Sequence, residues 1–406
     1  MTAAWRALDA EVRSWWDIDL ARADPAACAE DATLLPLPSP YITAGGTHTS
    51  DFAEMYGWDT AFINHGLLAH ERGDIVAGHI DNHLTMIERY GMVLNGNRSY
   101  YLTRSQPPLL ADSIAAYIRC TGDEQLVRRA AAALAAEYLD YWCGPEHQTE
   151  AGLARAFDRG APNLRAELAA EAETGLDFTA QYGGDARRCV PLVLNTALVR
   201  TARVLAELHQ LLNEPAAAEG WHQRAEVRAQ AIREHCWAED FFYEFDISNR
   251  RHVPVRTVAA YWTLWAGVAT AEQAATLVDA LPDFRGPGGL ASTDRRYASP
   301  HPEFTDLQWQ HPAGWAPMQM IAVAGLDAYG YHEHAASIAR DFVDLQVRTH
   351  AATGSLWERY DVVHDGALPT DLPVERYQVV PMHGWSAAAV AVLGRRAYAP
   401  AEGDLR

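Results

Sequence analysis

Apolar residues recur at helical spacing along most of this 406-residue chain, and this periodicity limits the folds that the chain can adopt. Alanine and leucine are abundant and runs of β-branched residues are scarce, which favours helices over strands. The clearest helical segments are 113–119, 126–142, 194–212, 220–235, 258–268, 271–281, 316–329 and 332–347. No linker, low-complexity block or fixed-period repeat divides the sequence, so we predict one large all-α domain.

Long loops between these helices hold most of the clustered tryptophan, tyrosine, arginine, aspartate and glutamate residues. They span residues 41–59, 92–110, 151–190, 282–315 and 356–385. Long loops in a compact domain tend to be functional, so we expect a cleft where they meet at one end of the helical scaffold. Composition does not distinguish a helical toroid from another all-α fold.

The charge and the chain start exclude several classes of partner and location. The net charge is −20, which argues against nucleic acid or an anionic membrane as a partner. The N-terminal stretch is amphipathic and has no apolar signal region, and no apolar run is long enough to span a bilayer. Five widely spaced cysteines without a CxxC pattern fit reduced thiols. We therefore expect a cytoplasmic protein.

The string NGNRSYYLTRSQPP, from Asn95 to Pro108, has a composition that a hydrophobic core does not need. Its aromatic rings suit the flat faces of sugars, and its amide and guanidinium groups suit sugar hydroxyls. Any one of its arginines, taken alone, is better explained as a surface residue of a loop between helices. The whole string predicts a binding surface for a ligand with many hydroxyl groups.

This string resembles the asparagine- and arginine-rich segment of the trehalases, glycoside hydrolase family 37. Four further segments resemble that family in the same order, between about residues 34 and 392. They are AGG…DFAEMYGWDTAF (44–62), AETGLDFTAQY (172–182), LQWQHPAGWAP (307–317) and LWERYDV (356–362). The resemblance implies an (α/α)6 toroid of helical hairpins with the active site at its mouth. It further implies one catalytic domain over 1–406, with a helical lead-in at 1–33 and a tail at 396–406.

The resemblance also implies the residues of a sugar site. Those expected to bind substrate are Phe52, Tyr56, Trp58, Asp59, Asn95, Arg104, Gln106, Arg165, Gly175, Trp309, Trp315 and Trp385. Structural roles remain open for some of them: Asp59 would also serve as a helix cap, and either tryptophan of the 307–317 segment as core. No metal or cofactor is expected, because His79 and His83 have ligand spacing but lack an evident third ligand.

Two carboxylates carry the chemistry that the resemblance implies. Asp177 stands at the position of the family's general acid, and Glu358 at the position of its general base. Cleavage of a glycosidic bond requires such a pair, and an inverting enzyme uses the second carboxylate to activate water. Leu176 and Phe178 beside Asp177 would supply the apolar burial that a general acid needs. The expected function is inverting hydrolysis of a small α-glucoside by a monomer or small homo-oligomer.

Several positions depart from the family pattern. An arginine is replaced by Asp51, the aspartate of Gln-Trp-Asp by Gln310, a further arginine by Gln181 and an aspartate by Val193. The glycine-rich lid is absent, and whether Glu375 takes the place of its glutamate is open. These losses fall mainly on groups around the second sugar, so glucosylglycerol or glucosylglycerate is an alternative to trehalose. A catalytically silent sugar-binding protein is a second alternative, and a histidine-dependent epimerase or lyase a weaker third.

Overall fold

The computed structural model describes residues 1–46, 51–160, 164–373 and 378–398, and α-helices dominate these ranges. The α-helices are α1 (Thr2–Ile18), α2 (Pro25–Glu30), α3 (Gly57–Ala69), α4 (Gly73–Tyr90), α5 (Leu110–Thr121), α6 (Val127–Ala136), α7 (Ala166–Glu173), α8 (Leu192–Leu211), α9 (Pro215–Cys236), α10 (Trp262–Trp265), α11 (Ala271–Asp279), α12 (Ala316–Ala328), α13 (His332–Thr353) and α14 (Gly384–Tyr398). None of these described helices is long and apolar enough to cross a bilayer.

The helices form two concentric rings. In the inner ring α3, α5, α8, α10, α12 and α14 contact one another in that order, and α14 returns to contact α3. Each of the first five is followed in the chain by an outer helix, namely α4, α6, α9, α11 or α13. Helix α1 packs on α13 and α14 and supplies the sixth outer position. This arrangement is the toroid of helical hairpins that the sequence predicted.

Residue size and polarity explain which helices lie inside. The inner helices α3 and α12 are buried on nearly every side, whereas the outer helices α4 and α9 each bury one stripe. The ring closes through small residues. At Gly66 of α3, an added Cβ atom would lie 2.7 Å from the Cα atom of Ala388 in α14. Only glycine allows these two helices to approach so closely.

Short antiparallel strand pairs tie the loops together. The pairs are β1 (Leu20–Ala21) with β2 (Tyr41–Ile42), β3 (Cys189–Val190) with β6 (Phe245–Asp246), β4 (Trp237–Ala238) with β5 (Phe241–Phe242), β6 with β7 (Arg251–His252), β8 (Arg285–Gly286) with β9 (Gly289–Leu290), and β10 (Ala313–Gly314) with β11 (Tyr360–Asp361). The last pair matters for the site. It joins the segment that contains Trp309 to the segment that contains Glu358.

One segment differs from its prediction. Residues 166–173 form α7 inside the stretch 151–190, for which the sequence predicts a loop. The buried face of α7 carries Glu171 and Glu173, so charged residues stand where a helix normally presents apolar ones. Hydrophobic periodicity cannot detect such a helix. The division into one domain with a lead-in and a tail stays a prediction, and residues 399–406 of that tail lie outside the described ranges.

Candidate active site

A cavity of about 380 Å³ lies at the end of the inner ring where its helices begin. Trp58 and Asp59 lie in the first turn of α3, Trp315 directly precedes α12, and Trp385 lies in the first turn of α14. The residues that line the cavity are Phe52, Tyr56, Trp58, Asp59, Asn95, Tyr100, Tyr101, Arg104, Gln106, Leu164, Ala172, Gly175, Asp177, Gln308, Trp309, Trp315, Glu358, Met382 and Trp385.

The structure brings together every residue nominated from the sequence except Arg165. The side chain of Arg165 is half exposed, and its guanidinium lies 2.5 Å from Glu303 and 3.2 Å from Glu167. Arg165 therefore does not reach the cavity wall. Sequence reasoning did not nominate Tyr100, Tyr101, Leu164, Ala172, Gln308 and Met382. The two tyrosines, Gln308 and Ala172 lie inside quoted motifs, but Ala172, like Leu164 and Met382, is of a residue type that carries no signal.

Four tryptophans form an aromatic wall. The Trp309 and Trp315 rings are stacked, with centroids 3.8 Å apart and planes 10° apart. Trp58 lies 5.8 Å from Trp309, and Trp385 lies 5.8 Å from Trp315 and 6.1 Å from Trp58. Because three segments far apart in sequence supply these rings, the wall depends on closure of the ring of helices. Such a surface suits the apolar face of a sugar ring.

The segment Asn95–Pro108 docks on the beginning of α3. The N–H of Gly57 donates to the carbonyl of Asn95 at 3.1 Å, and the N–H of Trp58 donates to Oε1 of Gln106 at 3.0 Å. The first turn of a helix has N–H groups without intrahelical partners, and these two contacts satisfy two of them. The predicted sugar-binding segment therefore also holds the helix that carries Trp58.

Arg104 is fixed by an ion pair and an aromatic ring. Its Nη1 lies 3.1 Å from Oδ2 of Asp158, and its guanidinium lies 5.0 Å above the Tyr101 ring. Within the described part of the chain, Nε of Arg104, Oε1 of Gln308 and Nε1 of Trp309 are buried without a hydrogen-bond partner. Unsatisfied buried polar atoms are costly, and a ligand with hydroxyl groups would supply their partners.

Asp177 lies in a tight turn that hydrogen bonds from Gln308 hold in place. Gln308 Nε2 donates to the Asp177 carbonyl at 3.1 Å and to its Oδ1 at 2.9 Å. The following residue, Phe178, has a φ angle of +59°, and its carbonyl accepts the N–H of Gln308 at 3.1 Å. Leu176 and Phe178 are both buried. Asp177 itself is half-buried and lines the cavity, so the apolar burial expected for its carboxyl group stays a prediction.

Gly175 allows this turn to pass close to the aromatic wall. Its φ angle is +76°, a region that residues with a Cβ atom seldom adopt. An added Cβ atom would also lie 3.0 Å from the Trp58 ring. Both the backbone conformation and the contact with Trp58 therefore require glycine here.

Glu358 lies beside a buried arginine. Nη1 of Arg359 donates to Glu358 Oε2 at 2.5 Å, and the Arg359 guanidinium lies 5.3 Å from the Trp315 ring centroid. The backbone is held as well, since Glu358 N–H donates to Val380 and Trp385 Nε1 donates to the Glu358 carbonyl at 3.0 Å. An adjacent guanidinium favours the ionised form of a carboxyl group.

Asp59 is a third carboxyl group in the cavity. Burial raises its pKa to about 8, and the negative charge of Glu358 acts in the same direction. Burial and the nearby charge of Glu358 therefore favour a protonated Asp59 at neutral pH. A protonated carboxyl group both donates and accepts hydrogen bonds, as a contact with a sugar hydroxyl requires.

Two of the residues that depart from the family pattern, Gln310 and Gln181, make hydrogen bonds within the described structure. Gln310 is buried and accepts the N–H of Tyr297 through Oε1 at 3.0 Å, so it stabilises its own loop. Gln181 Nε2 donates to Oε1 of Glu244 at 3.4 Å, and Val193 is buried. Asp51 is exposed. Glu375 lies outside the described residues.

The His79–His83 pair serves the core. Both residues are buried, and burial lowers the pKa of each to about 3. Nε2 of His79 accepts the N–H of Ile42 at 3.0 Å, so its Nδ1 donates to Asn64 Oδ1 at 2.7 Å. Both ring nitrogens of His79 are thus engaged. Among the residues that the structure describes, no three His, Cys, Asp or Glu residues form a group suited to a metal ion.

The trehalase family profile matches residues 2–163 and 167–394. The chain belongs to the trehalase family of glycoside hydrolases. It is 32% identical to a periplasmic trehalase of Pseudomonas aeruginosa over 375 residues, covering 82% of this chain and 67% of the relative. It is 30% identical to a cytosolic neutral trehalase of Kluyveromyces lactis, covering 80% of this chain and 51% of the relative. The chain thus spans between half and two thirds of the length of these trehalases.

Solved structures agree with the family. The neutral trehalase of Saccharomyces cerevisiae superposes with a TM-score of 0.76 at 26% identity, covering 88% of this chain and 73% of that one. A mannosylglycerate hydrolase of Thermus thermophilus superposes with a TM-score of 0.65 at 17% identity, covering 96% and 99% of the two chains, and this likeness concerns the fold alone. The prediction of an all-α (α/α)6 toroid is confirmed.

Proposed function

We propose that the protein is an inverting glycoside hydrolase that cleaves a small α-glucoside, with trehalose as the first candidate substrate. Asp177 is the general acid and Glu358 the general base. One observation carries this proposal: both carboxylates line a single cavity that is walled by four tryptophans. The names of the relatives support the substrate class.

The reaction uses the two carboxyl groups in one step. Asp177 gives its proton to the glycosidic oxygen as the bond to the anomeric carbon breaks. Glu358 takes a proton from a water molecule, and that water attacks the anomeric carbon from the opposite face. An α-glucoside then yields β-glucose, and inverting enzymes hold the two carboxyl groups roughly 6.5–9.5 Å apart to admit the water.

The environments of the two groups suit these roles. Asp177 is half-buried between Leu176 and Phe178, which are both buried, and partial removal from water favours the protonated form of a carboxyl group. Arg359 lies against Glu358 and favours the ionised form that a base needs. The site thus separates an acid from a base although both are carboxyl groups.

The remaining polar residues hold the non-reducing glucose. We assign Asp59, Asn95 and Arg104 to its hydroxyl groups and Trp58 to its ring face. The unsatisfied Nε of Arg104 supports this assignment, because a sugar hydroxyl would accept its hydrogen bond.

Two substitutions test the assignment of the carboxylates. Asp177→Asn is expected to lower kcat on trehalose by about 10²–10⁴-fold, and to lower it less on α-glucosyl fluoride, whose leaving group needs no proton. Glu358→Gln is expected to be almost inactive on both, and azide should not restore a retained product. NMR should detect β-glucose as the first product from α-glucosyl fluoride, and α- and β-glucose in equal amounts from trehalose, because the leaving glucose keeps its α configuration. First-formed α-glucose from the fluoride, or α-glucose alone from trehalose, would contradict inversion. Wild-type activity in either variant would exclude that carboxylate from its role, and no turnover of either substrate by the wild type would indicate a sugar-binding protein without catalysis.

The aglycone is tested separately. Asp51 and Gln310 stand where the family pattern has an arginine and an aspartate, but neither residue lines the cavity that holds Asp177 and Glu358, so an aglycone other than glucose stays the alternative to trehalose. kcat/KM should be measured on trehalose, kojibiose, sucrose, glucosylglycerol and glucosylglycerate. Trehalose as the best substrate, at roughly 10⁴ M⁻¹s⁻¹ or above, would identify a plain trehalase. A tenfold preference for another member of the panel would identify the alternative aglycone.

The cytoplasmic location stays a prediction. The relatives include proteins named as periplasmic and as cytosolic. Fractionation of the native host followed by immunoblotting would decide between the two compartments. Sedimentation of the purified protein would decide between a monomer and a small homo-oligomer.

A further inference from the structure

The backbone directly after Asp177 adopts a conformation that needs support from its neighbours. A φ angle of +59° at Phe178 lies in the left-handed region, which a bulky residue rarely occupies. Such residues persist where the surrounding structure holds them in place. The turn at residues 177–179 is therefore held from outside.

Glu171 on α7 supplies part of this support. Its Oε1 accepts the N–H of Thr179 at 3.0 Å, directly after the strained residue. Its Oε2 accepts a hydrogen bond from Nε2 of His301 at 3.1 Å. The side chains of Glu171 and His301 are 0% and 3% exposed, so a buried ionisable pair binds the backbone two residues after Asp177.

The loop that carries His301 contacts the same turn through its aromatic residues. The Phe178 ring packs edge-on against Phe304 with centroids 4.8 Å apart, and the His301 ring also lies edge-on to Phe304, with centroids 6.2 Å apart. The loop therefore reaches the turn both through a hydrogen bond to Glu171 and through Phe304.

The charge of Glu171 acts on Asp177. Burial raises the pKa of Glu171, the hydrogen bond from His301 opposes this, and the negative charge of Asp177 adds to the rise. The hydrogen bond to Glu171 raises the pKa of His301 in turn. Repulsion between two carboxylates is mutual, so an ionised Glu171 favours the protonated form of Asp177. A general acid must be in that form when substrate binds.

We propose that Glu171 is a positioning residue for the general acid: with His301 it holds the 177–179 turn and places a negative charge beside Asp177. This inference rests on the proposed role of Asp177. Glu171 does not line the catalytic cavity, so it acts through Asp177 and not on the substrate.

Other ionisable groups lie near Glu171 and His301, and all the variants tested below retain those groups. Burial raises the pKa of Tyr182, on the segment after the turn, and the charges of Glu244 and Glu171 act in the same direction. His301 is in turn influenced by Glu303 on its own loop and by Arg165 at the start of α7. None of these groups is removed in the test.

The test compares Glu171→Gln with Glu137→Gln. The glutamine at 171 still accepts the Thr179 N–H and donates to a neutral His301, so the variant loses the charge and keeps the contacts. Glu137 is the matched control, because it is also a buried carboxyl group that accepts a backbone N–H, from Val93 at 2.7 Å, and it does not line the cavity. Glu171→Asp keeps the charge but is too short to keep both contacts.

The measurement is the pH profile of kcat/KM on trehalose and on α-glucosyl fluoride. For Glu171→Gln we expect the alkaline limb to move to lower pH, with kcat on trehalose falling about tenfold and kcat on the fluoride by less than about twofold. Glu137→Gln should keep the wild-type limb. Glu171→Asp should also keep the limb while its kcat on trehalose falls, and this variant decides the question if Glu171→Gln does not fold.

Two outcomes overturn the inference. One is an alkaline limb of Glu171→Gln that coincides with that of the wild type, and the other is wild-type kcat on trehalose for Glu171→Asp. Asp177→Asn is measured alongside to separate the two proposals. If it loses activity on trehalose while the Glu171 variants behave as wild type, only the inference fails. If it retains wild-type kcat, the proposed acid itself is wrong.

Discussion

Nε2 of Gln308 lies 2.9 Å from Oδ1 of Asp177, although the two residues are 131 positions apart in the chain. The same amide also reaches the Asp177 carbonyl, and the Gln308 backbone N–H binds the next carbonyl. Gln308 therefore fixes both the backbone and the side chain of the proposed acid. This contact gives a structural reason for the glutamine that precedes Trp309 in the 307–317 segment.

Gln308→Ala should weaken catalysis more than binding. Loss of the amide leaves the Asp177 carboxyl group free to rotate away from the glycosidic oxygen, so kcat on trehalose should fall by about 10–100-fold with little change in KM. Steady-state kinetics on trehalose and α-glucosyl fluoride checks this. Equal losses on both substrates would mean that Gln308 supports the fold and not the proton transfer.

Arg104→Lys should damage the site although it preserves the charge. The planar guanidinium pairs with Asp158 and covers the Tyr101 ring, whereas an ammonium group cannot do both. We expect kcat/KM to fall by about 100-fold or more, since a buried ion pair loses its geometry. The exposed Arg250 pairs only at the surface with Glu150, so Arg250→Lys is the control. Wild-type kcat/KM in Arg104→Lys would make Arg104 peripheral.

Gly175→Ala should lower both activity and stability. The alanine would have to adopt a φ angle of +76° with its Cβ atom against the Trp58 ring. We expect a loss of about 1–3 kcal/mol in the free energy of unfolding from the backbone alone, together with reduced kcat/KM as Trp58 shifts. Gly366→Ala is the control, because its φ angle is +76° as well but no atom lies within 4 Å of an added Cβ. Equal loss of kcat/KM in the two variants would exclude a role for the Trp58 contact.

Glu244→Gln should flatten the dependence of stability on pH. Burial raises the pKa of Glu244 to about 8 from an ordinary value of 4.5. Above pH 4.5 the unfolded chain releases this proton and the folded chain keeps it, so stability falls as pH rises from 4.5 to about 8. Glutamine can accept the Leu192 N–H as Glu244 does and can pair with a reoriented Gln181 amide.

Melting temperatures at pH 5 and pH 8 provide the measurement. The variant should melt roughly 2–5 °C above the wild type at pH 8 and close to it at pH 5. The exposed Glu234 is the control, since Glu234→Gln should shift neither value. If the melting temperature of Glu244→Gln differs between pH 5 and pH 8 by as much as that of the wild type, another group causes the pH dependence.

Much of the fold could be predicted because helical periodicity is a local property. Segments such as 194–212 and 332–347 present one apolar face each, and they form α8 and α13 nearly at the predicted bounds. Helix α7 was missed since its buried face carries two glutamates. A buried carboxylate is recognised only from its partners, and those of Glu173 include His147 and Ser105, which are distant in sequence.

The candidate site was predicted where motifs place several polar and aromatic residues together, as in Asn95–Pro108. Leu164 and Met382 were missed because single apolar residues occur everywhere in such a chain. Arg165 was nominated for its place in a motif, yet its side chain turns towards Glu303 at the surface. Motif membership fixes the position of a backbone segment, and the direction of a long side chain depends on the charges around it.

By itself, the sequence determined the helical content, the family and the loops that carry the chemistry, since each of these depends on local composition or on motifs. Only the tertiary structure decided which of the 53 acidic residues meet. Closure of the ring joins α14 to α3, and the pairing of β10 with β11 joins the segments of Trp309 and Glu358. The first of these contacts spans most of the chain and the second joins two separate loops, and burial then gives each carboxyl group a proton affinity that no local pattern specifies.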